Sequence, residues 1–117
     1  MKAKVKNIRV SPRKMRIMVK DLVGKKAMEV ISKLKFINRS ARPALLSALE
    51  GAVANAVNNN KMTAENLVIK NITVNEGMKM KRGAKGRNAR TDRGVVVKRT
   101  SHMEIVLDDS KSDKMTK

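Results

Sequence analysis

The sequence predicts an α+β fold: one compact body built from strands and three helices, with a long basic arm projecting from it. Apolar residues recur first with period two, then at helical spacing in three stretches, then in β-branched runs. The apolar fraction, 41% of 117 residues, is enough for the core of a single domain. The formal charge of +18 is concentrated in two segments rather than spread over a surface.

Lys2, Ala3, Lys4, Val5 and Lys6 alternate as a strand with one buried and one wet face. Ser11-Pro12 marks a helix start, Ser11 as N-cap and Pro12 as first helical residue. Met15, Met18, Val19 and Leu22 then share a face, and Gly24 is the stop signal. A second helix carries the stripe Ala27, Val30, Ile31 and Leu34, with Lys26, Glu29 and Lys33 off it. A third is capped by Ser40, tolerates Pro43 in its first turn, and aligns Leu45, Ala48, Leu49, Ala52, Val53 and Ala56 before Asn58-Asn59-Asn60 ends it. This stripe mixes small and medium side chains, and its small members favour close packing. Residues 66–74, 95–97 and 103–107 are β-branched and predict strands. The only aromatic residue, Phe36, is expected in an otherwise aliphatic core that nine methionines help to fill.

Residues 1–20 hold eight basic and no acidic side chains, and residues 78–99 hold nine basic and one acidic. Between them the balance is eight to five, as in an ordinary globular region. Arg9, Arg13, Lys14 and Arg16 gather near a helix N-terminus, which itself favours phosphate, and Lys4 and Lys6 lie on the first strand. Lys79, Lys81, Arg82, Lys85, Arg87, Arg90, Arg93, Lys98 and Arg99 crowd the second segment, with Gly83, Gly86 and Gly94 as turn or bulge candidates. Two strands of ~10 residues would extend about 30 Å and bury too little to hold that shape in water. Their charge makes the missing partner an anion, and the expected partner is RNA. With one aromatic residue, base stacking is not the expected mode; phosphate neutralisation and shape recognition are.

Other function classes find little support. His102 is the sole histidine and there is no cysteine, so neither a zinc site nor a disulfide is expected. Asp108 and Asp109 are adjacent, would point to opposite faces of a strand, and read as solvated tail acids. Gly24-Lys25-Lys26 lacks the earlier glycine of a phosphate loop. No enzyme, cofactor, metal, membrane or small-molecule substrate is expected, and no apolar run approaches the ~18 residues of a span. A cytoplasmic chain is expected, forming one domain over 1–117: a body over 1–77 and 100–108, an arm over 78–99 and a frayed tail over 109–117.

Val10-Ser11-Pro12-Arg13-Lys14, Ala52-Val53-Ala54-Asn55-Ala56, Val74-Asn75-Glu76-Gly77 and Lys98-Arg99-Thr100-Ser101-His102 occur in that order. Together they resemble the bacterial form of large-subunit ribosomal protein twenty-two, over residues 3–107. The resemblance implies three helices on a small antiparallel sheet with a long protruding basic β-hairpin. It also implies a structural constituent of the large ribosomal subunit that binds ribosomal RNA, assists assembly and lines the nascent-peptide exit tunnel. Implied partners are large-subunit ribosomal RNA, neighbouring ribosomal proteins and the nascent polypeptide. Arg13, Lys14, Arg16, Arg99, Ser101 and His102 are the contacts it implies, and Ser11, in the same matched stretch, is a further candidate. Ala84-Lys85-Gly86-Arg87 departs from the family pattern, with no proline before it and a longer distance to Thr100, so tip contacts are not carried over. The alternative is a free RNA chaperone or nucleoid-type protein.

Overall fold

A computed structural model describes residues 1–85 and 93–109. Strand β1 (Lys2–Ile8) leads to helices α1 (Pro12–Val19), α2 (Ala27–Leu34) and α3 (Arg42–Asn60). A short 3-10 turn (Ala64–Asn66) then enters β2 (Leu67–Lys85), which pairs with β3 (Arg93–Asp109). The sheet is antiparallel in the order β1-β3-β2, so β3 is central. The expected α+β body, with its three helices, small sheet and long hairpin-like strand pair, is present.

The core lies between the sheet and the helices and is wholly aliphatic: Met15, Val30, Leu34, Leu45, Leu49, Leu67, Ile69, Met103, Ile105 and Leu107 are all but fully buried. Ala48, Ala52 and Ala56 are buried along α3, so small side chains do let this helix approach its neighbours. The alternation in β1 is as expected, its lysines exposed and Ala3 and Val5 half-buried.

Four local expectations fail. Phe36 is 90% exposed and not in the core. Ala41, not Ser40, occupies the N-cap of α3, in a helical conformation that makes no side-chain cap. Gly24 does not stop α1, which ends at Val19; five residues later, at φ +81, its N–H donates to Ile69 O at 2.8 Å. Lys25 O in turn accepts from Ile69 N–H at 3.0 Å, so Gly24 turns the chain onto the outer edge of β2. By contrast Ser11 and Pro12 open α1 as expected, as N-cap and first helical residue, though the Ser11 hydroxyl makes no cap bond. Asp108 and Asp109 are not tail residues: they close β3 opposite Val68 and Leu67, with Lys70 Nζ 2.8 Å from Asp108 Oδ2.

The hairpin leaves the body at a defined point. The last β1 partner on β3 is Ser101, opposite Ile8; beyond it β3 pairs with β2 alone. There β2 carries one extra residue, since Glu76 pairs with Ser101 and Lys79 with Arg99. Gly77 sits in this bulge: a Cβ there would lie 2.5 Å from Thr100 Oγ1 and 3.2 Å from the Thr100 carbonyl carbon. The buried Thr100 hydroxyl donates to Met78 O at 2.8 Å, tying the bulge across the ladder. Past it the ribbon runs in register to Lys85↔Arg93, and Met78 and Val95 are 67% and 63% exposed. The molecule is accordingly elongated, 66 × 29 × 25 Å.

Gly77→Ala should therefore destabilise the body by about 1–3 kcal/mol through overpacking, and Thr100→Val by about 1 kcal/mol through the lost hydrogen bond. Gly77→Ala/Thr100→Ala, which removes the struck oxygen, should cost less than the sum of its single changes in urea denaturation; strict additivity would mean the close approach is not a constraint. Deleting residues 83–94 should move the thermal midpoint by less than the ~4 °C that about 1 kcal/mol produces, because no described residue of this stretch belongs to the core. A larger fall in calorimetry would place the arm within the cooperative unit.

Candidate nucleic-acid interface

Two basic concavities meet where the hairpin leaves the body. One, of about 480 Å³, is lined by Ser11, Pro12, Arg13, Arg16, Glu76 and Arg99. The other, of about 390 Å³, is lined by Arg9, Val10, Ser11, Lys14, Ser40 and residues 97–99. They share Ser11 and Arg99, so α1 presents its N-terminus between them. No acidic residue occupies its first turn and no side chain caps it, which leaves its amide dipoles facing the grooves. Residues separated by some 90 positions are thus joined in one cationic surface.

Several of these cations also hold the fold. Arg16 donates from Nε and Nη2 to Val74 O, at 3.1 and 3.0 Å, using two of five N–H donors and fastening α1 to β2. Arg9 Nη1 donates to Arg99 O at 3.2 Å and links the end of β1 to the hairpin base. His102 Nδ1 accepts the Asn7 N–H at 2.9 Å, and Asn7, at φ +57, lies in the β1 bulge between Val5 and Ile8. The histidine ring therefore positions this bulge.

Glu76, which no charge pattern singled out, is the one acid lining either groove. Lys79 Nζ lies 3.0 Å from its Oε2, and this hydrogen bond and charge, with Arg99 and Arg16 beyond, hold its carboxyl below the ordinary value. A carboxyl depressed in the folded state stays ionised at neutral pH, and its pairing is lost only as pH falls through the lowered value. It lies in solvent, so its part is to order Lys79 rather than to stabilise the fold.

Along the ribbon, residues directly opposite share a face. One face carries the pairs Lys79·Arg99, Lys81·Val97 and Gly83·Val95; the other carries Met80·Lys98, Arg82·Val96 and Ala84·Gly94. Lys79, Lys81, Arg82, Lys98 and Arg99 are all exposed, so cations project from both faces. Lys85 and Arg93 pair at the end of the described ladder. Arg87 and Arg90, with Gly86, lie outside the described residues. On β1, Lys4 and Lys6 are exposed, and Lys4 Nζ is 3.6 Å from Glu104 Oε1.

Ser101 corrects the expected contact set. It is 0% exposed, because it alternates with His102 and falls on the core face beside Met103, and its hydroxyl has no hydrogen-bond partner. A side chain so placed cannot meet a surface ligand. Among the described residues no three His, Cys, Asp or Glu side chains are grouped to hold a metal ion, and no helix is long and apolar enough to cross a membrane.

Comparison with known proteins agrees with this geometry. The chain is 44% identical over 110 residues to the large ribosomal subunit protein uL22 of Mycoplasma mycoides, covering 94% of this chain and 97% of that one. It is 47% identical over 111 residues to that of Mycoplasma capricolum, with the same coverage. It is 38% identical over 112 residues to that of Staphylococcus aureus, covering 96% and 94%. Residues 3–108 match the family described as ribosomal protein L22p/L17e, and the chain belongs to that family.

Proposed function

We propose that this protein is a structural, non-catalytic constituent of the large subunit of the cytoplasmic ribosome. Its grooves and hairpin hold large-subunit ribosomal RNA by phosphate and shape contacts, and the hairpin lines the nascent-peptide exit tunnel. The observation that carries this reading is the placement of cations on both faces of a two-stranded ribbon. A ribbon lying on one surface would need them on one face only; charge on both faces suits an arm that RNA surrounds. Guanidinium groups at the hairpin base grip phosphate bidentately, and the α1 N-terminus adds amide donors.

In this reading Lys4, Lys6, Arg9, Ser11, Arg13, Lys14, Arg16, Lys79, Lys81, Arg82, Lys98 and Arg99 face RNA, while His102 positions the β1 bulge beside them. Neighbouring ribosomal proteins meet the body, and the nascent polypeptide passes the arm. Binding to several RNA segments through one rigid body would also assist subunit assembly.

Six to ten phosphate contacts predict that affinity for large-subunit RNA falls by about 10³–10⁵ between 50 and 200 mM salt. A flat salt response in filter binding would remove the phosphate-contact reading. Residues 78–99 should be cut readily by trypsin in the free protein and be protected in assembled large subunits; equal cleavage in both would count against an arm enclosed by RNA.

A further inference from the structure

The turn between α2 and α3 carries the chain's only aromatic residue, Phe36, and leaves it 90% exposed. The cause is local. Leu34, at the end of α2, is buried; two residues on, at ~100° per residue, the next side chain of that register lies on the opposite side. The ring is not on a loose end. Phe36 N–H donates to Lys33 O and Ile37 N–H to Leu34 O, both at 3.2 Å, and Arg42 Nη1 donates to Lys35 O at 3.2 Å. A held aromatic ring facing water gains nothing from its own core and is suited to an external partner.

Charge selects the partner. No acidic residue occurs between Glu29 and Glu50, while Lys33, Lys35, Arg39 and Arg42 fall around the ring in sequence. An apolar pocket on another protein would need an acidic rim to tolerate them; a nucleobase with its flanking phosphates satisfies ring and cations together. The turn also runs directly into the cationic surface, since Ser40 lines the groove that holds Arg9, Lys14 and Arg99. We propose that Phe36 is a stacking platform for one unpaired base of ribosomal RNA, with Lys33, Lys35 and Arg39 on the adjoining phosphates. The inference rests on the RNA-binding reading above and adds to it a base contact on the body, in a region whose near-balanced charge gave no sign of one.

The chain contains no Trp or Tyr, so Phe36→Trp introduces a single fluorophore at the site. Titrated with protein-free large-subunit ribosomal RNA, the full-length F36W protein should bind with wild-type affinity and lose emission as a base stacks on the indole. Phe36→Ala should weaken binding by about 5- to 150-fold. Its thermal midpoint and log–log salt slope should stay unchanged, because neither the core nor a phosphate contact is touched. Phe36→Leu, which keeps bulk but loses the π face, should fall in the same direction. Unquenched emission, or unchanged affinity of F36A while the wild type binds, would overturn the platform and leave the wider RNA-binding reading intact. A spectral shift appearing only when other ribosomal proteins are added would assign the ring to a protein partner and overturn it likewise. Failure of the wild type to bind RNA at all would overturn both.

Discussion

At Ser101–Thr100, β3 passes from a three-stranded sheet buried on one face into a two-stranded ribbon exposed on both, and the position of the ribbon's cations depends on that passage. Two ladders meet there: β1 makes its last pair, and β2 inserts its extra residue at Gly77. The approach of Gly77 to Thr100 leaves no room for a Cβ, and the Thr100 hydroxyl closes the gap to Met78 O. A bulge bends and twists its strand, so this contact fixes the direction in which the ribbon departs. Because β3 is continuous, the ribbon is an extension of the core's central strand and inherits its anchorage from Met103, Ile105 and Leu107.

The same junction resolves an electrostatic difficulty. A net charge of +18 on a chain of this size opposes compaction. Arg9 and Arg16 meet it by donating to backbone carbonyls of Arg99 and Val74, spending part of each guanidinium on the fold while the rest lines a groove. Glu76 orders Lys79 without leaving solvent. The cations of the ribbon are exposed on both of its faces, where water and salt screen their mutual repulsion. Structural roles and the proposed binding roles therefore overlap at the hairpin base and separate toward its end.

What the sequence disclosed was whatever a local period carries. The stripes of α2 and α3, the alternation of β1 and the β-branched strands each state their own buried face, and the charge runs marked the two segments that the fold brings together. What stayed hidden depends on register or on tertiary contact. Ser101 and His102 are neighbours in a basic motif, and only the pairing of β3 between two strands shows that the serine faces the core while the histidine serves Asn7. Gly24 has the residue type of a helix stop, but its carbonyl partner is on β2, 45 positions away in sequence. Residue type alone puts Phe36 in the core; its position two residues past Leu34, the last buried residue of α2, puts it outside.

An arm that buries little of its own surface need not weaken the protein that bears it. Its described residues contribute nothing to the core, so their ordering is not a cost the body must meet. In the proposed complex that cost, about 1–2 kcal/mol of backbone entropy per residue, would fall on the binding step and be offset there by released counterions. The long register from Lys79↔Arg99 to Lys85↔Arg93 lowers it, because pairing across the ladder restricts the free chain toward its bound form. The paired strands offer enough hydrogen bonding to give the cations a fixed spacing, with little burial of their own. A helix of the same composition would place like charges at neighbouring i, i+4 positions on a narrow cylinder. The strand pair distributes them to opposite faces, which is the arrangement a surrounding polyanion can neutralise from both sides.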